Sequence, residues 1–497
     1  MSEIFGYVVT AFAPLNLLFA LVGTVVGITV GALPGFTPTM GIAVLIPLTY
    51  NMDAVSALVF LGAIYCGSMF GGSISAILIN TPGTSAAAAT AMDGYAMTGK
   101  GEAHGALVEA SVASFWGGII SVLSLIFLAP PLARFAFKFG PQEKFMMALF
   151  GLTVIASLSS KAVMKGLMMG CAGLVLACVG MDPMNGMPRF SFGTAYLMGG
   201  ITMIPAVIGL FSVSQVFISL RDPIAPADEG SIAKFRSASV SVKDLFRYPV
   251  TYVRSAVIGI VIGIIPGTGG DVASYVAHNV GKMFSDEKDF GHGAREGVAC
   301  CEASNNAVTG GTLIPTLTLG VPGNATTAVL LSALTIQGLT PGYGLFTSEK
   351  AVTYPFICAL FIANLLMLLI GMFGAKHFAK VTLTPKNMLA PFVLALSIMG
   401  TYAIRGNMND VAVMLVFGVA GYVLKLYNFN VVPIVLGLIL GPIAEAGLSQ
   451  ALLLNKNSLA LVCRSLFSRP ICVVLMLLMA VSVLWPSLAE RRSARGA

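Results

Sequence analysis

The sequence predicts an all-α polytopic membrane protein of roughly 12 transmembrane segments, with broken helices and re-entrant hairpins in an inverted repeat. Three observations carry that expectation: an apolar composition, long charge-free runs, and a Pro-Gly motif that occurs twice. Of the 497 residues, 57% are hydrophobic and 10% charged. A soluble domain carries about a quarter charged residues, so no soluble core accounts for this composition.

Charge spacing locates the segments. No Asp, Glu, Lys or Arg occurs from Ile4 to Met52, Ala54 to Met92, Ala110 to Ala133, Phe190 to Leu220, Ala303 to Ser348, Ala351 to Ala375, or Pro470 to Ala489. A helix needs about 20 mostly apolar residues to cross the hydrocarbon, so several runs have room for two crossings or for one crossing and a re-entrant hairpin. The expected organisation is a first repeat half over 1–220, a cytoplasmic linker loop over 221–247, a second half over 248–450, and a C-terminal helix with a basic cytoplasmic tail over 451–497.

The net charge of +7 resides mostly in loops. In a membrane protein such a bias reports orientation and not nucleic-acid binding. The polar stretch from Arg221 to Arg254, with six Lys or Arg and with Pro223 and Pro226, reads as the central cytoplasmic loop; Lys376, Lys380, Lys386 and the tail from Arg491 to Arg495 mark further cytoplasmic positions. Residues Met1 to Phe5 carry no basic n-region, so no cleavable signal peptide is expected. The eight cysteines form no CxxC and the four histidines have no ligand spacing, which argues against haem or zinc.

The repeat is read from two elements. Gly27-x-x-x-Gly31-x-x-Pro34-Gly35 recurs as Gly259-x-x-x-Gly263-x-x-Pro266-Gly267, displaced by 232 residues. Gly71-Gly72 followed by Thr81-Pro82-Gly83-Thr84 is matched by Gly310-Gly311 followed by Val321-Pro322-Gly323-Asn324, with one residue more between the pairs. The N-terminus lacks Lys and Arg before its first apolar run, which places it outside, whereas the second copy follows the basic loop, which places its start inside. The copies then enter from opposite faces, the arrangement of many secondary transporters.

Breaking a helix inside lipid frees backbone groups at a cost of several kcal/mol, tolerated only where protein or a watery cavity satisfies them. A half-helix N-terminus offers bare N–H groups and partial positive charge to a carboxylate; unwound carbonyls with Asn and Thr oxygens suit sodium. The candidate substrate-binding set is Pro34, Gly35, Thr37, Thr39, Asn80, Thr81, Pro82, Gly83, Thr84, Pro266, Gly267, Thr268, Pro322, Gly323 and Asn324. Candidates for ion coupling are Asp271, Asn305, Asn306, Asn324 and Thr327, with sodium or a proton as the coupling ion and no other cofactor. Each has a plainer reading. A membrane Thr often bonds the preceding turn, Asp271 can cap the helix after it, and the Gly pairs can serve close helix packing. Arg405 reads as a loop charge.

These residues resemble the TctA family, the large membrane subunit of tripartite tricarboxylate transporters. The matching stretches are Gly31-Ala-Leu-Pro-Gly35, Gly71-Gly-Ser-Ile-Ser75, Asn80-Thr-Pro-Gly83, Asp93-Gly-Tyr95, Gly263-Ile-Ile-Pro-Gly267, Glu302-Ala-Ser-Asn-Asn-Ala307 and the run from Gly310 to Gly323, with Phe36-Thr37-Pro38-Thr39 as a departure from an expected Gly-rich segment. The resemblance implies a bacterial inner-membrane carrier for citrate or related di- and tricarboxylates, driven by a sodium or proton gradient. It also implies a small four-helix TctB-like membrane subunit and a periplasmic TctC-like solute-binding protein as partners, besides the lipid bilayer. No GxxxxGK[ST] loop for ATP occurs. The rival readings are the large subunit of a TRAP-type carboxylate system, a channel, and a membrane-embedded enzyme. The last would need an acidic metal cluster or a Ser/His/Asp set, and neither is found.

Overall fold

The computed structural model of the protein describes residues 2–158, 163–182, 185–221, 242–267, 269–382 and 386–493. Thr268, the 222–241 part of the central loop and tail residues 494–497, Arg495 among them, lie outside the described residues. The described chain is almost wholly helical; a two-stranded hairpin pairs Gly180–Met181 with Pro188–Arg189. Among the described residues, seven helices are long and apolar enough to cross a membrane. One bent pair (Leu459–Ser468 with Pro470–Ser482, at 90°) and five shorter apolar helices add to them. Helical membrane architecture is thus as expected, with many segments shorter than a full crossing.

The chain divides into two compact units, and neither is one sequence half. The first comprises 1–133 and 218–396, the second 134–217 and 397–497. In the first unit, α1 (Pro14–Ala32), α2 (Pro38–Leu45), α3 (Ala54–Ile79), α4 (Ala87–Gly99) and α5 (Ala103–Ala136) come from the first half. From the second half come α6 (Pro249–Ile264), α7 (Gly269–Phe284), α8 (Arg295–Leu319), α9 (Ala325–Ile336) and α10 (Lys350–Val381) in the same order. Helix α1 packs along α3, and α6 along α8.

The backbone repeats along with the order. Leu33 ends α1 at φ −78°, ψ 115° and Ile265 ends α6 at φ −78°, ψ 116°. In both cases the following proline excludes its neighbour from the helical region. Gly35 and Gly267 then turn at φ 85° and 84°, a left-handed conformation that a Cβ resists. Helices α3 and α8 end in left-handed residues too, Asn80 at φ 51° and Gly320 at φ 69°. After them the amides of Thr81 and Val321 reach back to the carbonyls of Ser75 and Pro315, both at 3.4 Å.

The structure corrects one pairing of the repeat. A Cβ on Gly71 would meet the Ile28 carbonyl of α1, and a Cβ on Gly311 would meet the Ile260 carbonyl of α6, 2.9 Å away. Likewise Gly27 abuts the Ile64 carbonyl and Gly259 that of Ser304. The equivalent of Gly71 is therefore Gly311, not Gly310, and that of Gly72 is Thr312. Gly71 to Gly311, Asn80 to Gly320 and Pro82 to Pro322 share one displacement of 240 residues, so no extra residue separates the elements. A Gly-Gly dipeptide offers two registers to a sequence comparison; backbone contact allows one.

The second unit uses similar close packing. Gly173 (helix Val163–Ala177) lies against the Ile434 carbonyl of Val432–Leu454, and Gly209, in a π-turn, against the Met414 carbonyl of Met408–Leu426. Arg405 is held by Asp410 at 2.6 and 2.9 Å, and Tyr196 (2.5 Å) and Thr202 (3.1 Å) also bond that carboxylate.

Candidate functional site

The four breaks meet in pairs, each pair joining the two halves. At the first junction the Thr39 hydroxyl at the start of α2 hydrogen-bonds that of Thr326 in the first turn of α9 (2.9 Å, both buried). At the second, the Ser85 hydroxyl just before α4 donates to Asp271 Oδ1 in the first turn of α7 (2.7 Å). Under the repeat α2 corresponds to α7 and α4 to α9, with Thr39 falling on Asp271. Each junction therefore exchanges the same two elements in reverse roles, as an approximate two-fold axis requires.

The first junction has neutral side chains. Thr37 caps α2 by accepting the Met40 amide (3.3 Å), and Asn324 caps α9 in a reciprocal box with Thr327 (2.9 and 3.0 Å). Asn324 Nδ2 donates to the Tyr65 hydroxyl of α3 (2.8 Å), which also bonds Thr312 of α8 (3.1 Å). No carboxylate, lysine or arginine takes part in these bonds. The Gly267 amide donates to the Gly323 carbonyl (2.7 Å), tying the third break to the fourth.

The second junction is acidic and polar. Asp271 stands in the first turn of α7, the end favourable to negative charge. A Cβ on Gly270 would lie 2.9 Å from Asn305 Oδ1, so the α8 amide aims at that same turn. Asn305 Nδ2 donates to the Met69 carbonyl (3.2 Å) and Asn306 Nδ2 to the Ser114 hydroxyl (2.7 Å). Both asparagines are wholly buried, and the side-chain oxygen of each lacks a hydrogen-bond partner among the described residues. Glu302, one turn earlier on α8, accepts from Thr90 and from Ser114 (3.1 Å).

The sequence candidates thus divide into four groups. Thr39 and Asn324 with Thr327 gather at the first junction, and Asp271 and Asn305 gather at the second. Pro34, Gly35, Pro82, Gly83, Pro266, Gly267, Pro322 and Gly323 shape the turns. Asn80 and Thr81 serve the α3 end, where Thr81 bonds the Ile79 carbonyl (3.2 Å), and Thr84 accepts the Ala87 amide (3.3 Å) at the α4 start. Helix capping, which the sequence suggested only for Asp271, therefore describes Thr37, Thr84 and Thr327 well, whatever else they do. Thr268 lies outside the described residues. Sequence reasoning missed Tyr65, Thr90, Ser114 and Glu302. Glu302 left a signal, an acid directly abutting a charge-free run; the hydroxyl residues left none.

Elsewhere in the unit the charges pair off. Asp93 bonds His278 (2.7 Å) and the amides of Gly291, Gly293 and Ala294 (2.7 to 2.9 Å). Arg295 holds Glu109 (2.9 Å), and Arg247 holds Asp244 (2.8 Å). A cavity of about 640 Å³ lies among these groups, lined by Lys100, His104, Arg247, Glu287 and Arg295, and contains none of the break residues. Ion pairing saturates much of its lining, so the breaks are the better candidate for selective binding. Among the described residues no cluster of three or more His, Cys, Asp or Glu could hold a metal ion.

Residues 17–436 match the model of the "Tripartite tricarboxylate transporter TctA family". The chain belongs to that family. It is 37% identical over 449 residues to the "Uncharacterized 52.8 kDa protein in TAR-I ttuC' 3'region" of Agrobacterium vitis, covering 90% of this chain and 89% of that one. It is 34% identical over 238 residues to the "Uncharacterized protein in TAR-II ttuC' 3'region" of the same organism, covering 48% of this chain and 97% of the other. This TctA family member is a membrane transporter protein, and its family name assigns it to a system of three parts.

Proposed function

We propose that this TctA family chain is the large subunit of a secondary active transporter that imports di- or tricarboxylates by sodium or proton symport. It works in the bacterial inner membrane with a small four-helix TctB-like subunit and a periplasmic TctC-like binding protein that delivers the substrate. The observation that carries the reading is the reciprocal joining of four intramembrane breaks, Thr39 to Thr326 and Ser85 to Asp271. Helices are broken at such cost where backbone ends face a ligand.

The substrate brings two or three negative charges, and the junctions contribute no Lys or Arg. Each half-helix N-terminus supplies about half a unit charge, so two leave the anion under-compensated and a co-transported cation completes the balance. A ligand shifts an equilibrium only through differential affinity, so substrate and cation each strengthen binding of the other. Asp271, Asn305 and Asn306 serve the cation side of this coupling; Asn324 and Thr327, which the sequence offered for the same role, cap α9 at the neutral junction and serve the substrate side. In topology, Ser2 lies outside and Ala238 and Ala494 inside; cysteine labelling that finds Ser2 and Ala238 on one side refutes the inverted arrangement.

The test is uptake of labelled citrate and related carboxylates into vesicles holding the membrane subunits, with binding protein supplied and sodium or proton gradients imposed. Accumulation requires one of the gradients, and Asn306→Ala weakens the ion dependence. Equal accumulation without any cation gradient defeats the symport reading, and downhill flux alone makes the protein a channel.

A further inference from the structure

Glu302 is wholly buried, and its carboxylate is held only by neutral groups. Thr90 of α4 donates to Oε1, Ser114 of α5 donates to Oε2 (3.1 Å), and Ser73 and Asn305 stand beside it. Among the described residues no Lys, Arg or His pairs with it. Other buried carboxylates of the unit have a basic partner. Glu109 has Arg295 (2.9 Å), Glu296 has Arg254 (3.7 Å), and Asp93, one turn from Thr90 on α4, has His278 (2.7 Å). A lone ionised carboxylate away from water is costly enough that it keeps a proton or takes a cation.

The neighbours favour the cation. Asn305 and Asn306 are buried side chains whose Oδ1 atoms accept no hydrogen bond among the described residues, although both Nδ2 groups are engaged. A proton on Glu302 answers at most one of these acceptors. A hard cation takes carboxylate, amide and hydroxyl oxygens together. Asn306 is tied to Glu302 through the shared Ser114 hydroxyl, and Asn305 spans from the Glu302 carboxylate to the first turn of α7.

We propose that Glu302, Asn305 and Asn306, with the Thr90 and Ser114 hydroxyls, form a sodium site at the second junction. The proposal rests on reading the chain as a cation-coupled carboxylate carrier and gives that coupling a residue. Without sodium, Glu302 must hold a proton or add its charge to that of Asp271 and repel an anionic substrate. With sodium bound, the Glu302 charge is cancelled and the carboxylate can enter. Sodium therefore binds first, and no covalent step is required.

Two measurements test this. In the first, the purified full-length chain is titrated with sodium chloride against choline chloride while thermal unfolding is followed. Wild type gains a saturable, sodium-specific rise in Tm. Glu302→Gln has a higher Tm without sodium and a half-saturating concentration raised at least tenfold, and Thr90→Val, which keeps the acid, raises it severalfold. An unchanged sodium response in both variants overturns the site, as does a wild-type response to pH but not to sodium. In the second measurement, binding-protein-dependent carboxylate exchange is followed in vesicles. In Glu302→Gln the sodium stimulation of exchange is lost or needs at least tenfold more sodium; wild-type sodium dependence in this variant also overturns the proposal. A sodium-dependent Tm lost in the variant, together with no carboxylate flux in wild type, keeps the sodium site and removes the carrier reading instead.

Discussion

The two junctions of the first unit share a backbone and differ in chemistry. At one, Thr39 meets Thr326 beneath Tyr65 and Asn324; at the other, Asp271 meets Ser85 beside Asn305 and Glu302. Under the repeat, Thr39 corresponds to Asp271, Tyr65 to Asn305, and Gly62 to Glu302. One copy is lined by hydroxyls and an amide, and the other adds two carboxylates. A neutral junction at helix N-termini suits an anion, and an acidic one suits a cation. The repeat supplies two similar frames with different side-chain chemistry.

The largest effect is expected where the frames are alike. Gly35→Val and Gly267→Val force a β-branched residue to φ 85° and 84°, a strain of about 1–3 kcal/mol each. Both should abolish uptake while membrane insertion, read from the amount in washed membranes, stays near wild type. Uptake preserved in both variants returns these glycines to a packing role and removes the breaks from the site.

A second pair of variants separates the junctions. Asp271→Asn should cut carboxylate uptake about tenfold and flatten its sodium dependence, a differential interaction of about 1.4 kcal/mol. Thr39→Val loses one neutral hydrogen bond, about 1 kcal/mol, and should lower substrate affinity severalfold with sodium affinity unchanged. Vesicle uptake titrated in both ligands decides, and identical profiles for the two variants would dissolve the distinction between the junctions. The smallest effect is expected for Asn324→Ala, which removes the α9 cap and the Tyr65 bond. It should cost about 1 kcal/mol of stability, seen as a lower Tm, with sodium dependence retained.

Much of this frame was legible in the sequence. Pro34-Gly35 and Pro266-Gly267 announced breaks because proline acts on its own neighbour, a local rule that needs no tertiary information. Asp271 and Asn305 stood out as polar groups in apolar runs. The Gly71 register was not legible, because adjacent glycines are interchangeable until a second backbone is placed against them. Thr90 and Ser114 were invisible for another reason. Hydroxyls are common in membrane helices, and only the burial of Glu302 between α4 and α5 gives these two a purpose. The compact units, which draw on both halves of the chain, also lie beyond local patterns.

The glycine seams bear on the likeness between the halves. Gly27, Gly71, Gly259 and Gly311 each leave no space for a Cβ against the carbonyl of the facing helix. Substitution at these positions forces the helices apart, so glycine stands at each of them in both copies. Thr39 and Asp271 face partners that differ and can be exchanged without moving a backbone. The seams preserve the family likeness between the halves, and the positions they hold in place are free to differ.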